Sequence, residues 1–172
     1  MKIEDNFLEQ NIFNALQTFI ISKLDWYYHG GIDYEGEKGK KFQFIHMFYS
    51  NKMPTSLLTE QMNPILEIIN PISIWRIKAN LLTRTPNIIE NEFHVDMGDV
   101  SKEKLKQWTT SIFYINTNNG YTEFQDGRIA MENTKVESVA NRMVTFPTNL
   151  KHRGTSCTDE KRRIVINFNY FR

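Results

Sequence analysis

Apolar residues fall into two helical stripes early in the chain and then into short alternating runs. Phe7, Leu8, Ile12, Phe13, Leu16, Phe19, Ile20 and Leu24 recur every three or four positions, which predicts an amphipathic helix within residues 3–24 lying on a flat surface. An aromatic and glycine-containing break follows (Trp26-Tyr27-Tyr28-His29-Gly30-Gly31), then a Gly/Lys-rich loop, and residues 42–49 read as a strand. Pro54-Thr55-Ser56 offers helix-start chemistry, and Leu57, Leu58, Met62, Ile65, Leu66 and Ile69 predict a second helix.

Beyond Asn70-Pro71 the period changes to two. Trp75, Ile77, Ala79 and Leu81 alternate with Arg76, Lys78 and Asn80, the pattern of a strand with one apolar and one polar face. Further strands are expected over residues 92–96, 108–115, 121–124, within 136–146, and over 162–171. Turns are expected at Thr85-Pro86-Asn87, across 116–120 and at Asp126-Gly127. The chain thus reads as one domain over 1–172, mainly β with N-terminal helices. Residues 1–70 supply mostly helical support and an extended segment, and 72–172 a strand core with the helices packed on one sheet of an antiparallel sandwich or barrel.

A length of 172 residues is enough to bury a proper core, and 24% charged residues is ordinary for a soluble domain. A formal net charge of +1 supplies no field for gathering nucleic acid or an anionic membrane, so neither is expected as a partner. Cys157 is the sole cysteine, no basic-then-apolar leader opens the chain, and no apolar run approaches the roughly 20 residues of a membrane span. A reducing, cytoplasmic location is expected.

The chemistry concentrates around His94-Val95-Asp96. In extended chain, residues two apart point the same way, so an imidazole and a carboxylate face one point. A second imidazole would complete the 2-His-1-carboxylate arrangement of non-haem Fe(II). Alone, the tripeptide occurs by chance. Of the other histidines, His152 follows an apolar run that ends at Pro147, where it reads alone as a surface or capping residue or as a ligand held at the mouth of a sheet, whereas His29 and His46 read as structural. In the last strand Ile164, Ile166, Phe168 and Tyr170 form an apolar face suited to packing under helices. Arg163, Val165, Asn167 and Asn169 form the opposite face, and a guanidinium there needs an anion, its fork suiting a carboxylate. Arg162, at the same parity as the apolar face, can bend to solvent. Lys78 and Asn80 could meet a co-substrate, a prime substrate or solvent.

The ordered series His94-x-Asp96, His152, Arg163-Ile164-Val165 resembles the Fe(II)/2-oxoglutarate-dependent oxygenases. It looks most like the prolyl-4-hydroxylase-like branch with its small phage and marine bacterial members. The likeness covers residue 75 to the C-terminus well and, more loosely, Trp26-Tyr27-Tyr28. It implies a double-stranded β-helix (jelly-roll) core, and His94, Asp96 and His152 as Fe(II) ligands. It also implies Arg163 as partner of the 2-oxoglutarate C5 carboxylate, and Tyr114 as a second co-substrate contact. The latter follows from a stretch similar to the family's Y-x-N…G-G-E-T-x-F, in which Asn119-Gly120-Tyr121 stands where two glycines are common. Asn80 is a further candidate co-substrate contact, and Asn167 is expected to orient Arg163. The implied partners are 2-oxoglutarate, dioxygen and a prime substrate, with ascorbate as accessory; the implied reaction is C–H hydroxylation yielding succinate and carbon dioxide. The substrate could be a prolyl residue of a peptide or protein, or a small molecule. Two other readings stay open: a cupin-like metal enzyme without 2-oxoglutarate, which needs no buried carboxylate anchor, and a non-catalytic jelly-roll binding module.

Overall fold

Two apolar cores lie on opposite faces of one large sheet, and they follow from strict alternation along the last strand. The structure is a computed structural model that describes residues 1–32, 41–97, 100–125 and 133–172. The chain runs β1 (Lys2–Glu4), α1 (Gln10–Ser22), β2 (Tyr27–His29), β3 (Gln43–Ser50), β4 (Met53–Pro54), α2 (Asn63–Ile69) and β5 (Ser73–Thr83). It continues through α3 (Lys102–Leu105), β6 (Trp108–Tyr114), β7 (Asn118–Phe124), β8 (Thr134–Ser138), β9 (Met143–Pro147), β10 (His152–Gly154) and β11 (Arg162–Phe171). The main sheet is ordered β1-β9-β6-β11-β5-β3-β2, with β4 on β3, and a smaller sheet is ordered β10-β7-β8. All these pairings are antiparallel. The two sheets form a double-stranded β-helix, as expected.

On the outer face of β11, Ile164, Ile166, Phe168 and Tyr170 pack with Phe13, Leu16 and Ile20 of α1 and Ile65 and Ile69 of α2. On its inner face Val165 joins Ile112, Tyr114, Val144 and Phe146 of the main sheet and Phe124 and Val136 of the smaller one. Each fully buried side chain of this size contributes about 1.5–3 kcal/mol, so these two cores dominate cohesion. The functional groups sit at the unfilled end of the inner core.

Four expectations need correction. The first helix starts at Gln10, because Asn141 takes the backbone of Leu8, accepting its N–H at 2.9 Å and donating to its carbonyl at 2.8 Å. Residues 2–4 instead pair with β9, while β3, expected as a strand, is a full member of the main sheet. The second helix is shorter than its stripe: Pro54 pairs with Tyr49 in a hairpin, Leu57 is fully exposed, and a 3-10 turn (Thr59–Met62) precedes α2. Finally, Asn118 to Gly120, read as turn, opens β7, and the His94-x-Asp96 segment is no continuous strand. Two isolated bridges, Glu90 to Thr155 and His94 to His152, tie it to β10. The Asp126-Gly127 turn and most of the Gly/Lys-rich loop lie outside the described residues. Among the described residues no helix is long and apolar enough to cross a membrane.

Candidate functional site

His94 and His152 exchange both backbone hydrogen bonds, 3.0 Å each way, which stands the two rings side by side with centroids 4.9 Å apart. Each Nδ1 faces a carbonyl two residues earlier: Glu92 at 3.1 Å for His94 and Leu150 at 3.3 Å for His152. A carbonyl only accepts, so Nδ1 carries the proton and each Nε2 keeps its lone pair. The Asp96 Oδ1 lies 3.8 Å from His94 Nε2 and 3.9 Å from His152 Nε2. These three ligand atoms all lie within 4.8 Å of one another, a donor set suited to a divalent iron.

Charge states agree with ligation. Burial pushes His152 down to about 4, against the pull of Asp96, so its ring is neutral at ordinary pH. Burial alone would raise Asp96. Arg76, His152, His94 and the Asn169 amide outweigh it and hold the carboxyl well below the usual range. Arg76 Nη2 lies 3.2 Å from Asp96 Oδ1, and Asn169 Nδ2 donates to Oδ2 at 2.9 Å. Arg76 Nε in turn donates to Asn169 Oδ1 at 3.1 Å, closing a triangle around the carboxylate. Arg76 and Asn169 received no role from the sequence, although they stand opposite each other in the β5–β11 register on the two polar faces. The sequence offered only their places on polar strand faces, since the register that brings them together is not set by alternation.

Arg163 is 3% exposed. Its Nε donates to Ser138 Oγ at 2.8 Å and its Nη2 to Thr122 Oγ1 at 3.0 Å, both on the smaller sheet. Gly154 clears space beside the remaining Nη1, where an added Cβ would sit 3.4 Å away. Gly120 is tighter still: a Cβ there would lie 2.7 Å from Arg163 Cδ and from the Ser156 carbonyl. A cavity of about 80 Å³ joins Arg163 to the triad and is also lined by Lys78, Asn80, Asn167 and Thr122. A buried guanidinium with an open edge on the metal cluster's own cavity fits a dicarboxylate that reaches the metal.

The remaining expected contacts are placed as follows. Asn80 lines the cavity, donating at 3.4 Å to the Lys78 carbonyl. Asn167 lines it too, but its amide reaches Asp96 Oδ2 at 3.5 Å; Ser138 and Thr122 orient Arg163 instead. Its Oδ1 is buried and has no hydrogen-bond partner among the described residues. Tyr114 is fully buried, and its hydroxyl donates to Thr122 at 2.8 Å, one hydroxyl behind the anchor. Burial raises its ionisation above the phenol range. His46 is structural, bonded to Ser56 and the Asp25 carbonyl. Next to His152, Arg153 spans Glu90 and Glu123, 2.5 Å from each, and clamps the ligand segment onto the smaller sheet.

Residues 87–171, which contain the triad and Arg163, match the family model described as the 2OG-Fe(II) oxygenase superfamily, and the chain belongs to that superfamily. No curated protein matches it. Among solved structures it is similar to a Trichoplax adhaerens prolyl hydroxylase in complex with a hypoxia inducible factor peptide fragment. That match has a TM-score of 0.69 and 10% identity, over 99% of this chain and 82% of the other. A Pseudomonas putida prolyl-4-hydroxylase aligns with a TM-score of 0.58 and 14% identity, over 99% and 91%. HygX from Streptomyces hygroscopicus, solved with nickel, 2-oxoglutarate and hygromycin B, aligns at 0.62 and 9% identity, over 98% and 81%. At such identities the likeness is one of fold.

Proposed function

We propose that this chain, as one domain, hydroxylates an unactivated C–H bond of a prime substrate. Fe(II) would be held by His94, Asp96 and His152, and 2-oxoglutarate by Arg163. The observation that carries the reading is the open Nη1 edge of a buried Arg163 in the cavity that also receives the triad. An arginine so placed is costly without an anion.

Iron and 2-oxoglutarate together supply the oxidising power to break a C–H bond, releasing succinate and carbon dioxide. The chain's own residues prepare the site. His94 and His152 turn their Nε2 atoms toward Asp96, their Nδ1 atoms being engaged with the Glu92 and Leu150 carbonyls. Arg76 and Asn169 keep Asp96 ionised and fix both its oxygens. Ser138 and Thr122 hold the Arg163 fork so that one edge stays open, and Tyr114 supports Thr122 from behind. Asn80 and Asn167 offer polar groups along the wall between anchor and triad. A prolyl residue of a peptide is one candidate substrate, by likeness to the prolyl hydroxylases, and a cytoplasmic setting suits a chain with one cysteine.

The test incubates purified protein with Fe(II), 2-oxoglutarate and ascorbate and measures succinate. Succinate release that depends on both iron and Arg163 is expected. Metal-loaded protein that neither binds 2-oxoglutarate nor releases succinate would refute the reading.

A further inference from the structure

Lys78 stands in the cavity as a second cation, and nothing so far uses it. Its backbone faces Asn167 in the β5–β11 register, while Leu82 faces Arg163, four residues away. At about 3.3 Å per residue the backbone levels of the two cations are roughly 13 Å apart along the strand. Asn167 touches Asp96, so Lys78 lies at the triad end and Arg163 at the far end. Arg76, the neighbouring cation on the same face, is bound to Asp96 and Asn169. For the Lys78 ammonium the described residues provide no hydrogen bond and no ion pair, although the side chain lines the cavity. Burial, and then Arg76, lower it to about 8 against the pull of Asp96.

Formal charge separates Lys78 from the co-substrate. Iron(II), Asp96, Arg163 and a 2-oxoglutarate dianion sum to zero. Arg76 and Lys78 are then surplus positive charge on the triad side. Lys78 and Asn80 both line the cavity from β5, so a small group entering at the triad end meets an ammonium and the Asn80 amide.

We propose that the prime substrate carries a carboxylate, and that Lys78 pairs with it beside the metal triad. Lys78 is then the specificity-determining residue, selecting an acid over its neutral amide. The inference rests on the reading that Arg163 takes 2-oxoglutarate in this cavity.

The probe is propionate, with propionamide as its neutral match, added to full-length protein saturated with Mn(II) and 2-oxoglutarate. Calorimetry first establishes that 2-oxoglutarate binds; if it does not, the oxygenase reading fails and takes this inference with it. Paramagnetic relaxation of the propionate methyl protons then reports a carboxylate held near the metal. Enhancement for propionate but not propionamide is expected. It should fall about tenfold in Lys78→Met, the worth of one charge-assisted hydrogen bond, and persist in Lys78→Arg. Lys78→Met replaces a half-buried charge by an apolar side chain of similar length, so it should fold, and its 2-oxoglutarate affinity is the control. Equal enhancement in Lys78→Met, or none in the parent protein, overturns the proposal. So does a tenfold loss of 2-oxoglutarate affinity in Lys78→Met, which would place Lys78 with the co-substrate.

Discussion

His94 and His152 are bonded to each other through their backbones, N–H to carbonyl in both directions at 3.0 Å. The two imidazoles are thus set by main-chain pairing between residues 58 positions apart, before any metal arrives. Removing one imidazole leaves that bridge intact, so His152→Ala should fold and still lose metal affinity by at least about a hundredfold, more than an outer-shell loss costs. Asp96→Ala should behave alike. Metal titration by calorimetry, with circular dichroism as the folding control, checks both.

The carboxylate ligand depends on partners the chain supplies from two strands. Arg76→Met or Asn169→Ala leaves all three ligands present but frees Asp96 from one side of its triangle. Metal affinity should drop about 10- to 100-fold in each variant, the usual penalty for an outer-shell partner. A change under twofold would mean that Asp96 is positioned by its own backbone alone.

Arg163 and Arg162 are adjacent and opposite in parity. Arg163 is buried and points into the cavity, whereas Arg162 is half-exposed. Arg163→Met should weaken 2-oxoglutarate binding about 10- to 100-fold, the worth of charge-assisted hydrogen bonds to a carboxylate. Arg162→Ala should change it by less than about twofold. The reverse order would show that the β11 parity is misassigned.

His152 also makes the metal-free protein sensitive to acid. Its folded value of about 4 lies below the ordinary 6.5, so between these limits the unfolded chain binds more protons than the folded one. The stabilisation is complete above about pH 6.5 and is lost as pH falls toward 4, by at most about 3 kcal/mol. Denaturant midpoints of the metal-free protein should decline across that window. In His152→Gln the decline should flatten.

Gly120 lies where the anchor passes closest to the main chain. Gly120→Ala forces its methyl against Arg163 Cδ and the Ser156 carbonyl. Overpacking of this kind costs typically about 1–3 kcal/mol, so thermal unfolding should move down by several degrees, and 2-oxoglutarate affinity should fall with it.

Period-two patterning made β5 and β11 legible, and with them both the helix-facing core and the inward direction of Arg163. The His94-x-Asp96 pair was readable because its spacing is local, whereas His152 joined it through the ordered series that carries the family resemblance. What escaped depends on register. That Arg76 meets Asn169, and both meet Asp96, requires knowing that residue 76 pairs with residue 169, which alternation alone does not set. Asn167 was expected to orient Arg163 on shared parity, yet it lies closer to Asp96, because β11 carries it toward the triad end. Helix boundaries failed where side chains take over backbone groups. Asn141, 133 positions beyond Leu8, claims the turn that periodicity would assign to α1.

Arg163 belongs to the main sheet, yet its hydrogen bonds go to Ser138 and Thr122 on the smaller one. The side chain that would receive the co-substrate is therefore also a rivet across the sandwich. Any motion that parts the two sheets unfastens the rivet and reshapes the acid's berth in a single event. If Arg163 takes the acid, affinity and mechanical cohesion would rise and fall together, and a titration of one would gauge the other.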